Sequence, residues 1–421
     1  MPHHSNANHR VTDSTGSIPS EIELVIDSPT NAPTLNHYYS TMHHKNNANH
    51  RVTDSAGSSH PEIDLVIDSP NPNRPTPTRA LTIIPFIARF HAGYFRISLS
   101  LCSQALLWKT LRDPPAASPD PAALRRLFRT LLPAAAFTAL WSLSLLTLVT
   151  LSSLYALRCL SHFHLVRNEF KHHVGVNYMF APWISWLLLL QSSPFISPTS
   201  TYYLTLWWLF VVPIVALDVK IYGAWFTKGK SFLSAVANPT SHLSVIGNLV
   251  GAWAGARMEW RESAVCLFSL GMAHYLVLFV TLYQRLPGGN GITAMLRPVF
   301  FLFFAAPSVA SLACEAIWGS FDYSSKMLFF LSLFLFLSLV SRPMLFKKSM
   351  KKFSVAWWAY SFPLTVLAIA STEYAQKMKS TIAHVLMLVL SLLSVLVSLV
   401  LMVFTGLNTN MLLPIHDPYS S

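Results

Sequence analysis

The stretch Leu296–Ser308, LRPVFFLFFAAPS, decides how this chain folds. It is almost wholly apolar and belongs to a hydrophobic run that reaches Ala313. A proline inside a helix removes one backbone donor and leaves the carbonyl four residues earlier without its partner. For Pro307 that carbonyl belongs to Phe303. A phenyl ring beside such a bend is compatible with a hydrophobic plug in a pore, and equally with ordinary packing in a kinked membrane helix.

The composition of the 421 residues is that of a membrane protein. Hydrophobic residues make up 52% and charged residues 11% of the chain, with a mean hydropathy of +0.42. A soluble domain carries about a quarter charged residues. The formal net charge is +12, of which residues 1–78 contribute −4 and the remaining residues +16. A carboxylate-poor membrane body of this charge is expected to attract anions and the headgroups of membrane lipid, and no nucleic acid partner is expected.

Residues 1–80 are predicted to be a disordered cytosolic tail. The segment Glu21–Pro29, EIELVIDSP, returns as Glu62–Pro70, EIDLVIDSP, at an offset of 41 residues. Two such copies are too few and too polar to bury a core of their own. A short motif that docks on a partner and phosphorylation by a protein kinase are both compatible with this tail, which is rich in Ser and Thr. Neither a metal ion nor another cofactor is expected.

Residues 81–407 are predicted to form a domain of ten membrane-spanning helices, followed by a short tail at 408–421. The apolar runs of membrane-crossing length are 93–111, 132–157, 174–191, 201–223, 236–256, 262–283, 294–316, 326–346, 353–372 and 380–407. Lysine and arginine are more frequent in the even-numbered loops than in the odd-numbered ones, which predicts that both termini are cytosolic.

Prolines distinguish the odd-numbered spans from the even-numbered ones. They occur inside or at the start of the third, fifth, seventh and ninth spans, as Pro182, Pro239, Pro307 and Pro363, whereas the even-numbered spans are plainer and Leu-rich, with Pro213 inside the fourth. Tyr178 is aromatic and lies four residues before its proline, as Phe303 does. The alternation predicts a repeat of helical hairpins, with kinked helices on one side and plain helices toward lipid. Five hairpins of this kind are enough to close a ring around a central axis.

The odd-numbered spans carry hydroxyl groups and almost no carboxylate. The candidate pore-lining hydroxyls are those of Ser98, Ser241, Ser244, Ser308 and Thr365. Hydroxyl groups replace part of an anion's hydration without trapping it, whereas proton-coupled pumps and many cation pathways need intramembrane Asp or Glu. The four-residue spacing of Gly247, Gly251 and Gly255 predicts a close-packing helix face. An enzyme is not expected, because no nucleophile–base arrangement is recognisable.

From about residue 89 to residue 407 the chain resembles a known family. Among the motifs that carry the resemblance are Asn238–Ser244 (NPTSHLS), Thr281–Pro287 (TLYQRLP), Ala305–Ser308 (AAPS) and Trp357–Pro363 (WWAYSFP). The chain resembles the slow-type (S-type) anion channels of plants, in the branch of short-tailed homologues. These channels are related to bacterial tellurite-resistance and dicarboxylate transporters.

The resemblance implies an all-α integral membrane fold of ten transmembrane helices, arranged as five hairpins in a quasi-five-fold ring around a central pore. It implies a trimer of identical or paralogous subunits. It also implies slow, weakly voltage-dependent, passive efflux of chloride and nitrate across the plasma membrane, controlled by a protein kinase. In this family Phe303 corresponds to the pore gate and Tyr178 to a second pore aromatic. Arg167 and Arg285 correspond to basic residues at the cytosolic mouth.

Three residues depart from the pattern of the well-conducting members, since His91 replaces a proline, Arg96 a glycine and Gly175 a basic residue. An arginine inside a span is costly unless it meets water, an acid or an anion. Arg96 is therefore compatible with tight binding of a permeating anion, with a plug, or with a position at the cytosolic interface. Two alternatives to a conducting subunit follow. One is an electrically quiet regulatory subunit that co-assembles with a conducting paralogue, and the other is a transporter of organic anions or dicarboxylates.

Overall fold

The structure is a computed structural model, and it describes residues 87–112, 130, 133–227, 237–285, 294–347, 349–350, 353–378 and 380–409. Within these ranges the chain is helical and contains no strand. The duplicated segments of residues 1–80 lie outside the described residues, as does the tail 408–421 apart from its first two residues. The predictions made for both tails therefore stay predictions.

The α-helices of the described residues are numbered in chain order. They are α1 Phe95–Arg112, α2 Ala134–Ser161, α3 Phe163–Lys171, α4 Gly175–Tyr178, α5 Ala181–Ser192, α6 Thr201–Thr227, α7 His242–Ala256, α8 Arg261–Arg285, α9 Leu302–Trp318, α10 Tyr323–Val340, α11 Ser361–Met378 and α12 Thr381–Leu407.

Half of the long helices are enclosed by the other half. We call α1, α5, α7, α9 and α11 the inner helices, and α2, α6, α8, α10 and α12 the outer helices. Every residue of α7 is buried, and 89% and 94% of the apolar stretches that end in α9 and α11 are buried. The corresponding stretches of the outer helices are only 17–33% buried. The predicted alternation of enclosed and exposed helices is therefore present in the described residues.

The inner helices contact one another in a closed cycle. Helix α1 packs against α5, α5 against α7, α7 against α9, α9 against α11, and α11 against α1. Each inner helix also packs against the outer helix that follows it in the chain. The repeated unit is thus a hairpin of one inner and one outer helix, as the alternation of prolines predicted.

The prediction of ten membrane spans is supported in part. Seven of the described helices are long and apolar enough to cross a membrane, or eight if Phe163–Lys171 and Gly175–Ser192, which meet at 105°, form one span. Helix α1 falls short because it carries three basic residues, and α7 because it has only fifteen residues. An enclosed helix faces protein on all sides, so its sequence need not be as long or as apolar as that of a helix in lipid.

Short segments of 3₁₀-helix precede four of the inner helices. They are Ala92–Tyr94, Pro239–Ser241, Ala294–Phe301 and Val355–Tyr360, while α5 follows the short helix α4. These five starting segments contact one another in the same cyclic order as the inner helices themselves. The inner helices therefore begin at the same end of the molecule and run in the same direction. The sequence predicted continuous spans here and did not indicate the change of helix type.

The four predicted kink prolines take different positions in their helices. Pro182 and Pro239 lie within the first two residues of their helical segments, where a backbone N–H has no intrahelical partner. These two start helices rather than bend them. Pro363 is the third residue of α11 and lies just after the change from the 3₁₀ segment Val355–Tyr360, which continues into α11 without a break. Pro307 is the sixth residue of α9, so its missing N–H does interrupt the helical hydrogen bonds.

The predicted glycine face of α7 is confirmed by its close contacts with α6 and α8. A Cβ atom at Gly255 would lie 3.1 Å from the ring of Trp207, and one at Gly251 would lie 3.2 Å from Leu267. Trp207 also donates from its indole nitrogen to the carbonyl of Gly251 at 3.0 Å. Small residues here allow the inner helix to approach both outer helices closely.

A fully buried ion pair ties the start of α1 to α2 and α3. The Arg158 guanidinium lies 3.1 Å from Glu169 Oε2, and neither side chain is exposed. Arg158 also donates to the carbonyl of Phe90, and Glu169 Oε1 accepts from the backbone N–H of Ala92 at 2.7 Å. These added hydrogen bonds help to offset the cost of removing both charges from water. The pair fixes the position at which the first inner helix begins.

Gly175 lies against this ion pair. A Cβ atom at Gly175 would lie 2.6 Å from the backbone oxygen of Glu169 and 3.0 Å from its Cγ. Because the nearest atom is backbone, any side chain at Gly175 requires the turn between α3 and α4 to move. The glycine that departs from the family pattern therefore has a structural reason in this chain.

We expect Gly175→Ala to lower the free energy of unfolding by about 1–3 kcal/mol, the usual cost of forcing extra atoms into a packed site. Thermal unfolding of the purified protein in detergent measures the change. Gly223→Ala is the matched control, because Gly223 lies within α6 and a Cβ there meets nothing within 4 Å. That substitution is expected to stabilise the protein by about 1 kcal/mol through helix propensity. A Gly175→Ala protein as stable as the unmodified chain would contradict the described packing.

Candidate functional site

Phe303, the second residue of α9, is buried among other rings. Its ring centre lies 4.5 Å from that of His242, 5.8 Å from that of Phe300 and 6.2 Å from that of Phe279. His242 begins the inner helix α7, and Phe279 belongs to the outer helix α8. The phenyl ring is thus enclosed at the place where α9 meets the α7–α8 hairpin.

The carbonyl of Phe303 is the one that Pro307 leaves without a helical partner. The hydroxyl of Tyr275 in α8 approaches it at 3.5 Å, which is a long hydrogen bond. A side chain from the neighbouring hairpin therefore compensates for the interrupted bond, as membrane helices with internal prolines require. Sequence reasoning located this carbonyl but not its partner, because Tyr275 comes near only when α8 packs on α9.

His242 places a polar atom beside Phe303. Its Nδ1 lies 3.3 Å from the carbonyl oxygen of Pro239, within the start of the same helix. Its Nε2 is buried and has no hydrogen-bond partner among the described residues. The ring therefore presents one uncompensated nitrogen in an otherwise aromatic environment. Sequence reasoning did not select His242, because its position next to Phe303 depends on the pairing of α7 with α9.

Arg96 and Tyr178 lie together at the start of α1 and the end of α4. The guanidinium carbon of Arg96 is 4.8 Å from the centre of the Tyr178 ring, and Arg96 Nε donates to the Gly93 carbonyl at 2.7 Å. Arg96 is 9% exposed and makes no ion pair with an acidic side chain of the described residues. The hydroxyl of Tyr178 is buried and also has no partner among those residues. A cation and a hydroxyl donor are thus enclosed side by side.

Three of the candidate lining hydroxyls join inner helices to outer ones. Ser244 on α7 lies 2.6 Å from the hydroxyl of Tyr222 on α6, Ser308 on α9 contacts Ser332 on α10, and Thr365 on α11 lies 3.0 Å from the hydroxyl of Ser394 on α12. All three inner-helix hydroxyls are buried. The contact that the structure gives them is therefore pairing of an inner with an outer helix, within one hairpin for Ser308 and Thr365 and between neighbouring hairpins for Ser244. Their role in lining a pore stays a prediction.

The other two candidate hydroxyls connect neighbouring inner helices at their starts. Ser98 on α1 lies 3.2 Å from the hydroxyl of Ser185 on α5. The hydroxyl of Ser241 accepts from the side-chain amide of Asn177 at 3.2 Å. These bonds follow the closed cycle of inner helices, and their lining role likewise stays a prediction.

Gln104 is the centre of a polar network that sequence reasoning missed. Its side-chain nitrogen lies 2.9 Å from the hydroxyl of Thr365 and 2.7 Å from each of the hydroxyls of Ser394 and Ser398. The network joins α1 to α11 and α12, where the last hairpin meets the first. A glutamine in a helix that also carries several serines gives no sequence signal for such a role without knowledge of the helix neighbours.

The structure describes the side chain of one of the two remaining predicted basic residues. Arg167 is exposed on α3, two residues before Glu169. Arg285 is the last residue of α8, and its side chain lies outside the described part of the structure.

Two buried carboxylates lie near the ends of predicted spans. Helix α11 extends to Met378, beyond the predicted limit of residue 372, and therefore includes Glu373, which lies 3.9 Å from Arg257. Asp218 is buried within α6 and accepts from the amide of Asn248 at 2.6 Å. Both acids have partners on an inner helix or at its end, which reduces the cost of their burial.

Comparison with known proteins agrees with this architecture. The family profile described as SLAC1, voltage-dependent anion channel, matches residues 89–406. The S-type anion channel SLAH1 of Arabidopsis thaliana is 57% identical over 340 residues, covering 81% of this chain and 86% of the relative. The S-type anion channel SLAH4 of Arabidopsis thaliana is 56% identical over 333 residues, covering 79% and 87%. The guard cell S-type anion channel SLAC1 of the same plant is 43% identical over 326 residues, covering 77% and 56%.

The resemblance carried by the proline and aromatic motifs is thereby confirmed. The matched region contains all the inner and outer helices, together with the enclosed rings around Phe303. On the strength of its helical membrane architecture and of a family match over most of its length, the chain belongs to the SLAC1 family of voltage-dependent anion channels, alongside the plant S-type anion channels.

Proposed function

We propose that the chain is a channel subunit through which chloride and nitrate leave the cell passively across the plasma membrane. Slow, weakly voltage-dependent conduction is part of the proposal. Membership of an anion channel family supports it. The observation that carries it furthest is the closed cycle of inner helices with Phe303 enclosed at one of its joints. A cycle of helices running in one direction provides an axis along which an ion can cross a membrane.

The arrangement of the chain in the membrane belongs to the same proposal. The ten predicted spans form five hairpins in a quasi-five-fold ring, with the inner helices around the central pore. Both termini lie in the cytosol, and subunits associate as trimers of identical or paralogous chains. A protein kinase acts on the Ser- and Thr-rich tail. The cyclic contacts of the inner helices and the exposed apolar faces of the outer helices support the ring.

In this proposal Phe303 is the gate. Its ring fills the space between α9 and the α7–α8 hairpin until the helices shift. Pro307 makes that part of α9 easier to move, because the lost helical bond is replaced by a long bond from Tyr275. Tyr178 acts as the second pore aromatic, and Arg167 and Arg285 attract anions to the cytosolic mouth. The predicted hydroxyls exchange a helix partner for a permeating anion when the pore widens.

We expect Phe303→Ala to increase chloride flux from liposomes that contain the purified chain. Burial of one phenyl ring contributes about 1.5–3 kcal/mol, so its loss shifts a closed–open equilibrium roughly ten- to hundred-fold toward the open state. Chloride release under a concentration gradient measures the change. The same variant recorded by voltage clamp in an oocyte tests it in a cell membrane.

Phe304→Ala is the matched control, because it removes an identical ring at the next position of α9. Phe304 is fully buried and packs against Phe336 of the outer helix α10, with ring centres 5.4 Å apart. The control loses the burial of one comparable phenyl ring, about 1.5–3 kcal/mol, without opening the joint at α7. Equal flux from the unmodified chain and a well-folded Phe303→Ala variant would refute the gate.

Arg96 favours a second candidate function, that of an electrically quiet regulatory subunit. Its guanidinium is enclosed over Tyr178 and makes no ion pair with an acid of the described residues. A cation held in this way binds an anion strongly enough to slow its departure, since conduction needs sites that release ions readily. In this alternative the chain joins a trimer with a conducting paralogue and modulates its current.

We expect Arg96→Gly to produce anion current from the chain expressed alone, if the second candidate is correct. The unmodified chain is then quiet alone but changes the current of a co-expressed conducting paralogue. Arg342→Gly is the control, because Arg342 is an exposed arginine after an outer helix and its loss is expected to leave the current unchanged. A large current from the unmodified chain alone would exclude the quiet subunit and favour the conducting one.

A further inference from the structure

Four charged side chains meet at the far end of the inner helices. Arg257 follows the last residue of α7, Glu315 lies near the end of α9, and Glu373 and Lys377 lie near the end of α11. Arg257 Nη2 is 3.9 Å from Glu373 Oε1, and Lys377 Nζ is 3.6 Å from Glu315 Oε1. We call these four residues the C-terminal charge cluster. Its formal charge is zero, because the two acids balance the two bases.

The Arg257–Glu373 pair connects helices that are not neighbours in the cycle. Helix α9 lies between α7 and α11, and it packs against both of them. Arg257 therefore reaches past the end of α9 to meet Glu373, and Glu315 of α9 belongs to the same cluster through Lys377. Contacts between alternate members of a closed cycle place these charges at its inner side. The cluster thus lies where the axis of the inner helices leaves the protein.

Burial strengthens the electrostatic effect that the charge of Glu373 has on a passing ion. Its side chain is 7% exposed, against 32% for that of Arg257. A unit charge with little water around it acts on a passing ion more strongly than a charge at the open surface. The carboxylate therefore opposes the passage of an anion, and the guanidinium beside it reduces that opposition. Arg257 is positioned by its own helix, since its guanidinium carbon lies 5.1 Å from the centre of the buried Trp253 ring.

The cluster is separate from the rings around Phe303. Glu315 and Phe303 both lie on α9, and their separation of twelve positions corresponds to about 18 Å along the helix axis. Phe303 lies near the start of the inner helices and the cluster near their end. An anion that follows the axis therefore meets the two groups in succession.

We infer that the C-terminal charge cluster is a second determinant of anion passage, in which Glu373 opposes and Arg257 favours the anion. The inference rests on the proposed channel function. Glu373 and Arg257 determine specificity through their opposite charges, and neither needs to move for the effect to operate. Lys377 and Glu315 complete the balance and keep the local potential near zero.

Chloride flux from liposomes tests the inference, with the full chain carrying Phe303→Ala so that the first constriction is open. Adding Glu373→Gln is expected to raise the flux by about ten-fold, and adding Arg257→Gln to lower it by about ten-fold, the lower limit for the effect of a local field on a charged substrate. Arg257→Lys, which keeps the charge, is expected to recover most of the flux lost in Arg257→Gln. The double variant Arg257→Gln/Glu373→Gln is expected to fall between the two single variants.

Opposite signs distinguish this role from simple bracing of α7 against α11. Both single variants break the same ion pair, so a purely structural pair changes the flux in the same direction in each. Glu262→Gln is the control, because Glu262 is exposed in the first turn of α8, close to Arg257 in the chain but on an outer helix. Its flux is expected to equal that of Phe303→Ala alone. Changes of the same sign in Glu373→Gln and Arg257→Gln, or no change in either, would overturn the inference.

A second measurement separates this inference from the channel proposal. If Phe303→Ala passes no more chloride than empty liposomes, the channel proposal fails. Thermal unfolding of the full chain in increasing nitrate then decides the inference. Glu373→Gln is expected to lower, and Arg257→Gln to raise, the nitrate concentration that gives half of the maximal stabilisation. Shifts of the same sign, or none, would overturn the inference in this experiment also.

Discussion

The fold depends on the cost of leaving a backbone N–H or carbonyl group without a partner in hydrocarbon, which is several kcal/mol for each group. Helices that face lipid must therefore be long and apolar. Helices enclosed by other helices are free of that requirement. In this protein four 3₁₀ segments, the break before α5 and the interrupted bond at Pro307 belong to inner helices, while the outer helices contain one internal proline in their described residues, Pro213 of α6. The outer helices enclose these irregular segments and so make them possible.

The division into inner and outer helices also determines where polar side chains lie. Asp218 and Ser332 belong to outer helices, yet both are buried and hydrogen-bonded to groups on inner ones. The Arg158–Glu169 pair and the Gln104 network are likewise enclosed between hairpins. In hydrocarbon these groups hold helices together because no water competes for them, although each bond contributes only about 0.6–2 kcal/mol. Specific polar contacts therefore supplement the packing of small residues, such as the glycine face of α7.

Sequence patterns were sufficient to predict the features that depend on a single helix. The alternation of prolines separated enclosed helices from exposed ones, and the four-residue offset to Pro307 identified the carbonyl of Phe303. Features that depend on the packing of two helices against each other could not be predicted from the sequence. The partners of Ser308 and Thr365 lie on the following outer helix, and the position of His242 requires the pairing of α7 with α9.

The errors in the predicted bounds of the helices also had a physical cause. The predicted ninth span ends at residue 372, because Glu373 and Lys377 interrupt the apolar run beyond it. The helix continues to Met378 because both charges find partners there. Likewise, Pro239 is expected to bend a helix that is assumed to begin at residue 236. Its place in the first turn became evident only once the 3₁₀ segment Pro239–Ser241 was located.

The common direction of the inner helices gives the two ends of the axis opposite electrostatic character. Helix N-termini carry partial positive charge and C-termini partial negative charge. The starts of the inner helices contact one another in a cycle that includes the turn beside Arg96, so their dipoles and its guanidinium both favour an anion at that end. At the other end the dipoles of the helix C-termini oppose an anion, as the carboxylates of Glu315 and Glu373 do. Arg257 and Lys377 offset that opposition, and so does Lys109 near the end of α1, which donates to the carbonyls of Gln191 and Ser193.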